Sequence, residues 1–166
     1  MKKSVFKLAA AECVLVCVML FFSRNLLFAQ SSLSAKDNAL FEAAKSVTVA
    51  DVKAAIKNGA NVNAKDKDGS TVLMYAASDN TNPDVIKALI AAGANVNARD
   101  EDGWTALMSA AAADNSNPDV IKALIAAGSD ANARDRNGKR AIDHLESNEK
   151  ISKTDDAYWT IRDLLY

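Results

Sequence analysis

The sequence predicts an all-α solenoid of about four stacked helix-turn-helix units with loop fingers, and three observations support this. The twelve residues Asn82–Gly93 return unchanged at Asn117–Gly128, 35 positions later. Two sets of glycines advance along the chain by the same 34 and 35 residues, namely Gly59, Gly93 and Gly128, and Gly69, Gly103 and Gly138. Apolar residues within each copy recur at the spacing of one helical face. Repetition at this period marks units that stack on their neighbours.

The repeat markers divide the chain into four units. We place them at residues 37–65, 66–99, 100–134 and 135–166, the last being a capping unit. A polar, serine-rich stretch at residues 30–36 precedes them and is predicted to be a flexible lead-in.

Residues 1–29 have the pattern of a secretory signal peptide. Three lysines precede the apolar run Cys13–Phe22, and a small residue, Ala29, marks the expected cleavage point. We therefore expect an exported protein, periplasmic or secreted, in a bacterial setting. The alternative is an uncleaved membrane anchor, but ten apolar residues fall short of the roughly 20 that a spanning helix needs.

Removal of this leader changes the charge balance. The whole chain has 20 basic and 21 acidic residues, and residues 1–29 hold four of the basic and one of the acidic residues, which leaves 16 and 20. A net charge near −4 argues against a nucleic-acid partner, since such proteins present a basic face. Both cysteines also lie in the leader, so the remaining domain is expected to hold no disulfide, thiol nucleophile or cysteine metal site.

Each regular unit is predicted to begin with a turn and a short inner helix. Asp66–Gly69 has aspartate first and glycine last, as type I turns prefer. Thr71 follows as a helix cap, and apolar residues continue on one helical face to Ala76 and Ala77. The small alanines are expected to let neighbouring inner helices lie close together.

The second helix of a unit is predicted to begin at Asn82 and to end at Gly93. Asn82 can accept hydrogen bonds from free backbone amides, and Pro83 suits the first helical position. Gly93 can take the left-handed conformation that ends a helix. The predicted buried stripe consists of Val85, Ile86, Leu89 and Ile90.

The two ends of the array depart from the pattern, as capping units do. Thr48 and Asp51 resemble a capping box before the second helix. A final helix is predicted over Asp155–Tyr166. Its apolar stripe is Ile161, Leu164 and Leu165, with Tyr158, Trp159 and Tyr166 as broad covers.

These residues resemble the ankyrin repeat family. The family's unit begins Asp-x-x-Gly-x-Thr-Pro-Leu-His-x-Ala-Ala, and residues 66–77 and 100–111 follow it except at two positions. Val72 and Ala106 replace the proline, and Met74 and Met108 replace the histidine. The family's Gly-Ala-Asp-Val-Asn-Ala is matched at residues 59–64 and 93–98, with asparagine for the aspartate.

The resemblance implies a protein that binds other proteins through its loop tips and the concave side of its inner helices. Carried over by position, the candidate contact residues are Tyr75, Lys67, Arg99, Glu101, Trp104, Ser109, Asp114 and Arg136. Trp104 attracts most interest, because aromatic residues often anchor interfaces. Packing of Trp104 against the adjacent loop is the alternative; as an anchor, its replacement by alanine should weaken binding and leave the thermal midpoint nearly unchanged.

Candidates for chemistry are few. His144 is the only histidine, so a catalytic triad or a multi-histidine metal site would depend on it; we predict a surface or capping role instead. Asp66 with Asp68, and the matching pair one unit later, suggest calcium, but the first and twelfth ligands of an EF-hand loop are missing. A role in shaping the turns is favoured.

The sequence therefore predicts a non-enzymatic, monomeric scaffold for an unidentified protein partner, with no cofactor or metal, no nucleic acid and no membrane contact after cleavage of the leader. The alternative is a structural protector or assembly factor that is tethered to the membrane by an uncleaved leader.

Overall fold

The computed structural model describes residues 33–45, 48–79, 82–114, 116–148 and 156–166. These residues belong to one compact unit, Leu33–Tyr166. The predicted signal peptide lies outside the described residues. Within the described part, no helix is both long enough and apolar enough to span a bilayer.

Eight helices form within the described residues. They are α1 (Ala35–Lys45), α2 (Val49–Lys57), α3 (Val72–Asp79), α4 (Pro83–Ala91), α5 (Ala106–Ala112), α6 (Pro118–Ala126), α7 (Ala141–Ser147) and α8 (Asp156–Leu165). The described segments are all-α apart from an isolated antiparallel bridge between Lys65 and Thr71 at the base of a finger.

The helices pack in two layers. The inner layer runs α1, α3, α5, α7, each in contact with the next, and the outer layer runs α2, α4, α6, α8 in the same way. The two helices of each unit also pack on one another. This arrangement confirms the predicted stack of helix pairs, and the apolar core lies between the layers along its length.

Small residues let the inner helices approach closely. Ala76 of α3 is fully buried and Ala110 of α5 is 1% exposed, and these two helices are in direct contact. The outer helices instead bury branched residues, and Leu89 of α4 and its copy Leu124 of α6 are both fully buried.

The predicted helix ends are confirmed in the regular units. Oδ1 of Asn82 accepts the amide of Asp84 at 3.0 Å, and Pro83 is the first residue of α4. Oγ1 of Thr71 accepts the amide of Met74 at 3.4 Å. Gly93 closes the second helix of its unit with φ of +92°.

The first unit differs from expectation at two helix starts. Helix α1 begins at Ala35, inside the predicted lead-in at 30–36, because Oγ of Ser34 accepts the amide of Asp37 at 3.2 Å. The predicted capping box is wrong. The hydroxyl of Thr48 donates to the carboxylate of Asp51, and no side chain caps the amides of α2.

Several burial predictions also need correction. Ile90, placed in the buried stripe of α4, and Leu164, placed in the stripe of α8, are half-buried, because each lies at the edge of its stripe. On α8, Tyr158 is buried as a cover for the core, but Trp159 and Tyr166 are 45% and 81% exposed. These last two lie seven residues apart, hence on one face of the helix, opposite the face that buries Ile161 and Leu165.

Candidate functional site

Three fingers project from the starts of the second, third and fourth units, and one aspartate organises each of them. Oδ1 of this aspartate accepts the backbone amides two and four residues further on, at 2.8–3.0 Å. The three are Asp66, Asp100 and Asp135. The predicted turn-forming role of the aspartates at 66 and 100 is confirmed.

The other carboxylate oxygen ties two of the fingers to their inner helices. The hydroxyl of Tyr75 donates to Oδ2 of Asp66 at 2.8 Å. Nε2 of His144 lies 3.0 Å from Oδ2 of Asp135. Each helical residue lies nine positions after its aspartate, so the two contacts occupy the same place in their units.

These contacts change the proton affinities of Tyr75 and Asp135. The hydrogen bond to Asp66, reinforced by burial and by the negative charge of the carboxylate, raises the pKa of Tyr75 to about 12. Burial alone would raise the pKa of Asp135. The amides of Lys139 and Asn137 and the ring of His144 outweigh that effect, so the pKa of Asp135 lies below its usual value.

Aromatic contacts join neighbouring units along the same row. The rings of Phe41 and Tyr75 meet edge to face, with centroids 5.4 Å apart. The rings of Trp104 and His144 lie closer, at 4.3 Å and tilted by 41°. Trp104 therefore reaches across from the third unit to the fourth.

His144 is buried, whereas the sequence led us to predict a surface or capping role. It is 9% exposed, stacked on Trp104 and bonded to the buried Asp135. The signal was present in the sequence, because His144 stands six residues after Gly138, as Tyr75 stands six after Gly69. The degenerate start of α7 at Arg140 obscured this register.

The fingers are also bonded to one another by long basic side chains. Nζ of Lys65 donates to the carbonyl of Arg99 at 2.9 Å. The guanidinium of Arg99 in turn donates to the carbonyl of Arg134. Arg99, one of the predicted contact residues, thus has its charged end committed to the neighbouring finger.

Asparagines form a second ladder at the base of the fingers. Nδ2 of Asn63 donates to the carbonyl of Gly93 at 2.9 Å, and its Oδ1 accepts the amide of Asn95 at 2.7 Å. Asn97 repeats both bonds with the next unit at 2.9 Å. Neighbouring loops are therefore joined by asparagine side chains.

The structure places the other predicted contact residues in two settings. Lys67, Glu101 and Arg136 are exposed at the finger tips, and Asp114 is exposed beyond the end of α5. Tyr75, Trp104 and Ser109 are half-buried along the row that crosses the inner helices. The row and the tips together form the surface that we call the inner face.

Comparison with known families identifies the architecture. The family model described as ankyrin repeats, three copies, matches residues 40–135, more than half of the chain. The chain belongs to the ankyrin repeat family. The matched stretch contains the second and third units whole, both with their fingers and inner helices.

Ankyrin repeats are generally modules for protein–protein interaction, which directs attention to the inner face of this array. The full sequence finds no match among curated proteins. Within the described residues, no three His, Cys, Asp or Glu side chains are grouped so that they could hold a metal ion. The histidine of the array, His144, is engaged in packing with Trp104 and Asp135.

Proposed function

We propose that the chain is a non-enzymatic scaffold that binds a protein partner through the inner face of its ankyrin array. The observation that supports this best is the row formed by Tyr75, Ser109 and Trp104. These side chains are half-buried at the open side of the inner helices, where aromatic rings can be covered by a partner without any change in the core.

The finger tips provide the polar surroundings of that row. Lys67, Glu101 and Arg136 are exposed and of mixed sign. The backbone of each finger is fixed independently of these side chains, since the amide of Glu101 donates to the carbonyl of Asp68 at 3.1 Å and the amide of Arg136 to that of Asp102 at 2.9 Å. The tips are therefore held rigidly, which lowers the entropy lost on binding.

Capture of a partner tests this proposal. The protein, expressed with its own leader and tagged at its C terminus, is used as bait in extracts of the compartment that it reaches. A tip variant carries Lys67→Glu, Glu101→Lys and Arg136→Glu, and a control carries Lys53→Glu on the exposed outer side of α2. We expect the wild type and the control to retain one partner and the tip variant to lose it. Equal capture by all three would refute binding through the inner face.

We further propose that the protein acts as an exported monomer in the periplasm or outside the cell. The lysine-led apolar segment before Ala29 supports export. The intact mass of the protein recovered from the cell envelope tests it. Loss of residues 1–29 is expected, and their retention would favour a tethered role. Light scattering of the purified protein tests the monomer.

A further inference from the structure

One carboxylate oxygen in the row of turn aspartates lacks the partner that its counterparts have. Tyr75 bonds Oδ2 of Asp66, and His144 bonds Oδ2 of Asp135. In the third unit the turn aspartate is Asp100, whose Oδ1 accepts its two turn amides as in the other units. Its Oδ2 has no hydrogen-bond partner among the described residues.

The reason lies in the length of the side chain at the equivalent helical position. Ser109 stands nine residues after Asp100, where the other units have a tyrosine and a histidine. The side chain of serine is several ångströms shorter than that of tyrosine or histidine. The hydroxyl of Ser109 donates instead to the carbonyl of Thr105, four residues earlier, at 3.2 Å. Among the described residues nothing bonds Oδ2 of Asp100, so this oxygen is left to solvent. Asp100 is half-buried, and its Oδ2 is not among the buried polar atoms without a partner.

Ser109 stands between two units whose equivalent residues are aromatic. Helix α5 packs directly against α3 and against α7, and packed helices lie about 8–10 Å apart. Tyr75 of α3 and His144 of α7, the latter in ring contact with Trp104, occupy the positions equivalent to Ser109. The short side chain of Ser109 therefore stands between two longer ones, and we call the position that it leaves beside Asp100 the gap.

We propose that this gap receives an arginine side chain of the protein partner. The inference rests on the proposed function and names the chemistry that the inner face recognises. The guanidinium donates to Oδ2 of Asp100 and lies against the ring of Trp104 or Tyr75.

Three features favour arginine over other side chains. The unpaired group is a carboxylate, which calls for a charged donor. A guanidinium is planar and stacks on aromatic rings, so it suits a gap between two rings better than an ammonium does. The exposed carboxylate of Asp79, at the end of α3, favours a cationic partner.

Two basic side chains of the described residues near this position are engaged by other groups. The guanidinium of Arg99, the cation next to Asp100 in sequence, is bonded to the carbonyl of Arg134. Lys45 lies over the ring of Tyr75, with Nζ 5.3 Å from the centroid, and is anchored to Glu42 of α1 at 3.3 Å. The contact between Lys45 and the ring of Tyr75 shows that this ring accommodates a cation.

A small-molecule probe tests the gap directly. N-acetyl-L-arginine amide is titrated into the isotope-labelled protein, and backbone amide and indole resonances are followed by NMR. We expect saturable shifts at Asp100, Trp104 and Ser109 in the millimolar range, and none with the neutral citrulline analogue. Equal response to the lysine analogue, or shifts spread over all exposed carboxylates, would overturn the assignment to arginine.

Three variants keep the test decisive. Ser109→Tyr repeats the side chain of the second unit, so it should fill the gap, bond Asp100, raise the thermal midpoint and weaken probe binding about tenfold or more. Ser109→Ala leaves the gap open and should bind as the wild type does. Asp100→Asn keeps an acceptor for the turn amides and removes the charge, so it should also lose the probe. Undiminished binding by Ser109→Tyr, or by Asp100→Asn with an intact circular dichroism spectrum, would overturn the inference.

The captured partner separates failure of this inference from failure of the proposed function. A partner that is lost by the tip variant and held with unchanged affinity by Ser109→Tyr refutes the arginine site and leaves the scaffold role intact. Loss of that partner by Ser109→Tyr, with retention by Ser109→Ala, supports the site. Probe binding without any partner captured at the tips supports the site and counts against the proposed function.

Discussion

The hydroxyl of Tyr75 donates a 2.8 Å hydrogen bond to Oδ2 of Asp66, nine residues before it. The same aspartate shapes the finger through Oδ1, so one carboxylate fixes both the loop and its orientation on α3. His144 and Asp135 repeat the contact two units later. Finger positions along the inner face are therefore set by bonds inside each unit as well as by bonds between units.

Removal of the Tyr75 hydroxyl should loosen this link. We expect Tyr75→Phe to lower the free energy of unfolding by about 1–2 kcal/mol, because this hydrogen bond is made to a charged carboxylate in a half-buried setting. The ring contact with Phe41 does not involve the hydroxyl and should persist. Urea denaturation followed by circular dichroism measures the change. Tyr166→Phe, at a residue that is 81% exposed, is the control and should be neutral.

The same bond gives the protein an alkaline limit. The pKa of Tyr75 is raised from 10.0 to about 12 in the folded chain, so between these values the unfolded chain releases this proton first. The stabilisation that this hydrogen bond provides is fully present below pH 10 and is lost as the pH rises towards about 12. Tyr75→Phe should lose less stability over this interval than the wild type. Parallel curves for the two proteins would contradict the assignment.

Two finger glycines provide a matched pair for testing how closely the fingers pack. Gly103 and Gly138 have φ values of +81° and +77°, so alanine at either suffers the same backbone strain, about 1–2 kcal/mol. A Cβ at Gly103 would also lie 3.3 Å from the amide nitrogen of Arg136, whereas one at Gly138 meets open space. We expect Gly103→Ala to cost about 1 kcal/mol more than Gly138→Ala by chemical denaturation. Equal losses would mean that adjacent fingers are not packed so tightly.

The outer layer should depend on its two equivalent leucines. Leu89 and Leu124 are both fully buried, so Leu89→Ala or Leu124→Ala should cost about 2–5 kcal/mol through lost burial and the cavity left behind. Lys87→Ala, on the exposed side of the same helix α4, should change stability by less than about 0.5 kcal/mol. A loss below that value for either leucine would contradict the buried stripe.

The repeat period and the caps of the regular units were predictable from the sequence because they depend on local rules. Asn82 caps α4, and Gly93 ends the second helix of its unit. Both roles follow from the residue type and do not depend on what surrounds the helix. The buried side of α4 followed from its spacing, apart from Ile90 at the edge. These features require no knowledge of neighbouring units.

Contacts across the units were harder to predict. The stack of Trp104 on His144 joins residues of different units, and its register depends on where α7 begins, which a degenerate motif obscured. Oδ2 of Asp100 has no partner among the described residues, and this was equally hidden, because it follows from a bond that Ser109 fails to make. Such an absence is visible only when the equivalent bonds of Tyr75 and His144 are seen in the structure.

Trp104 has two roles to separate, because its ring both stacks on a buried histidine and faces the proposed partner. We now expect Trp104→Ala to lower stability by about 1–3 kcal/mol, more than the sequence suggested, since an aromatic stack contributes about 0.5–1.5 kcal/mol beyond its buried area. Burial of half a ring accounts for the remainder. Partner capture should also weaken.

Leu89→Ala is the control that separates these roles. It is expected to cost at least as much stability as Trp104→Ala but leaves the inner face unchanged, because Leu89 lies in the outer layer. Both variants are compared with the wild type in partner capture, well below their thermal midpoints. Loss of capture by Trp104→Ala alone would show direct contact. If both variants lose capture in proportion to their loss of stability, Trp104 has a packing role only. Capture would then depend on the folded fraction of the protein, whichever layer carries the substitution.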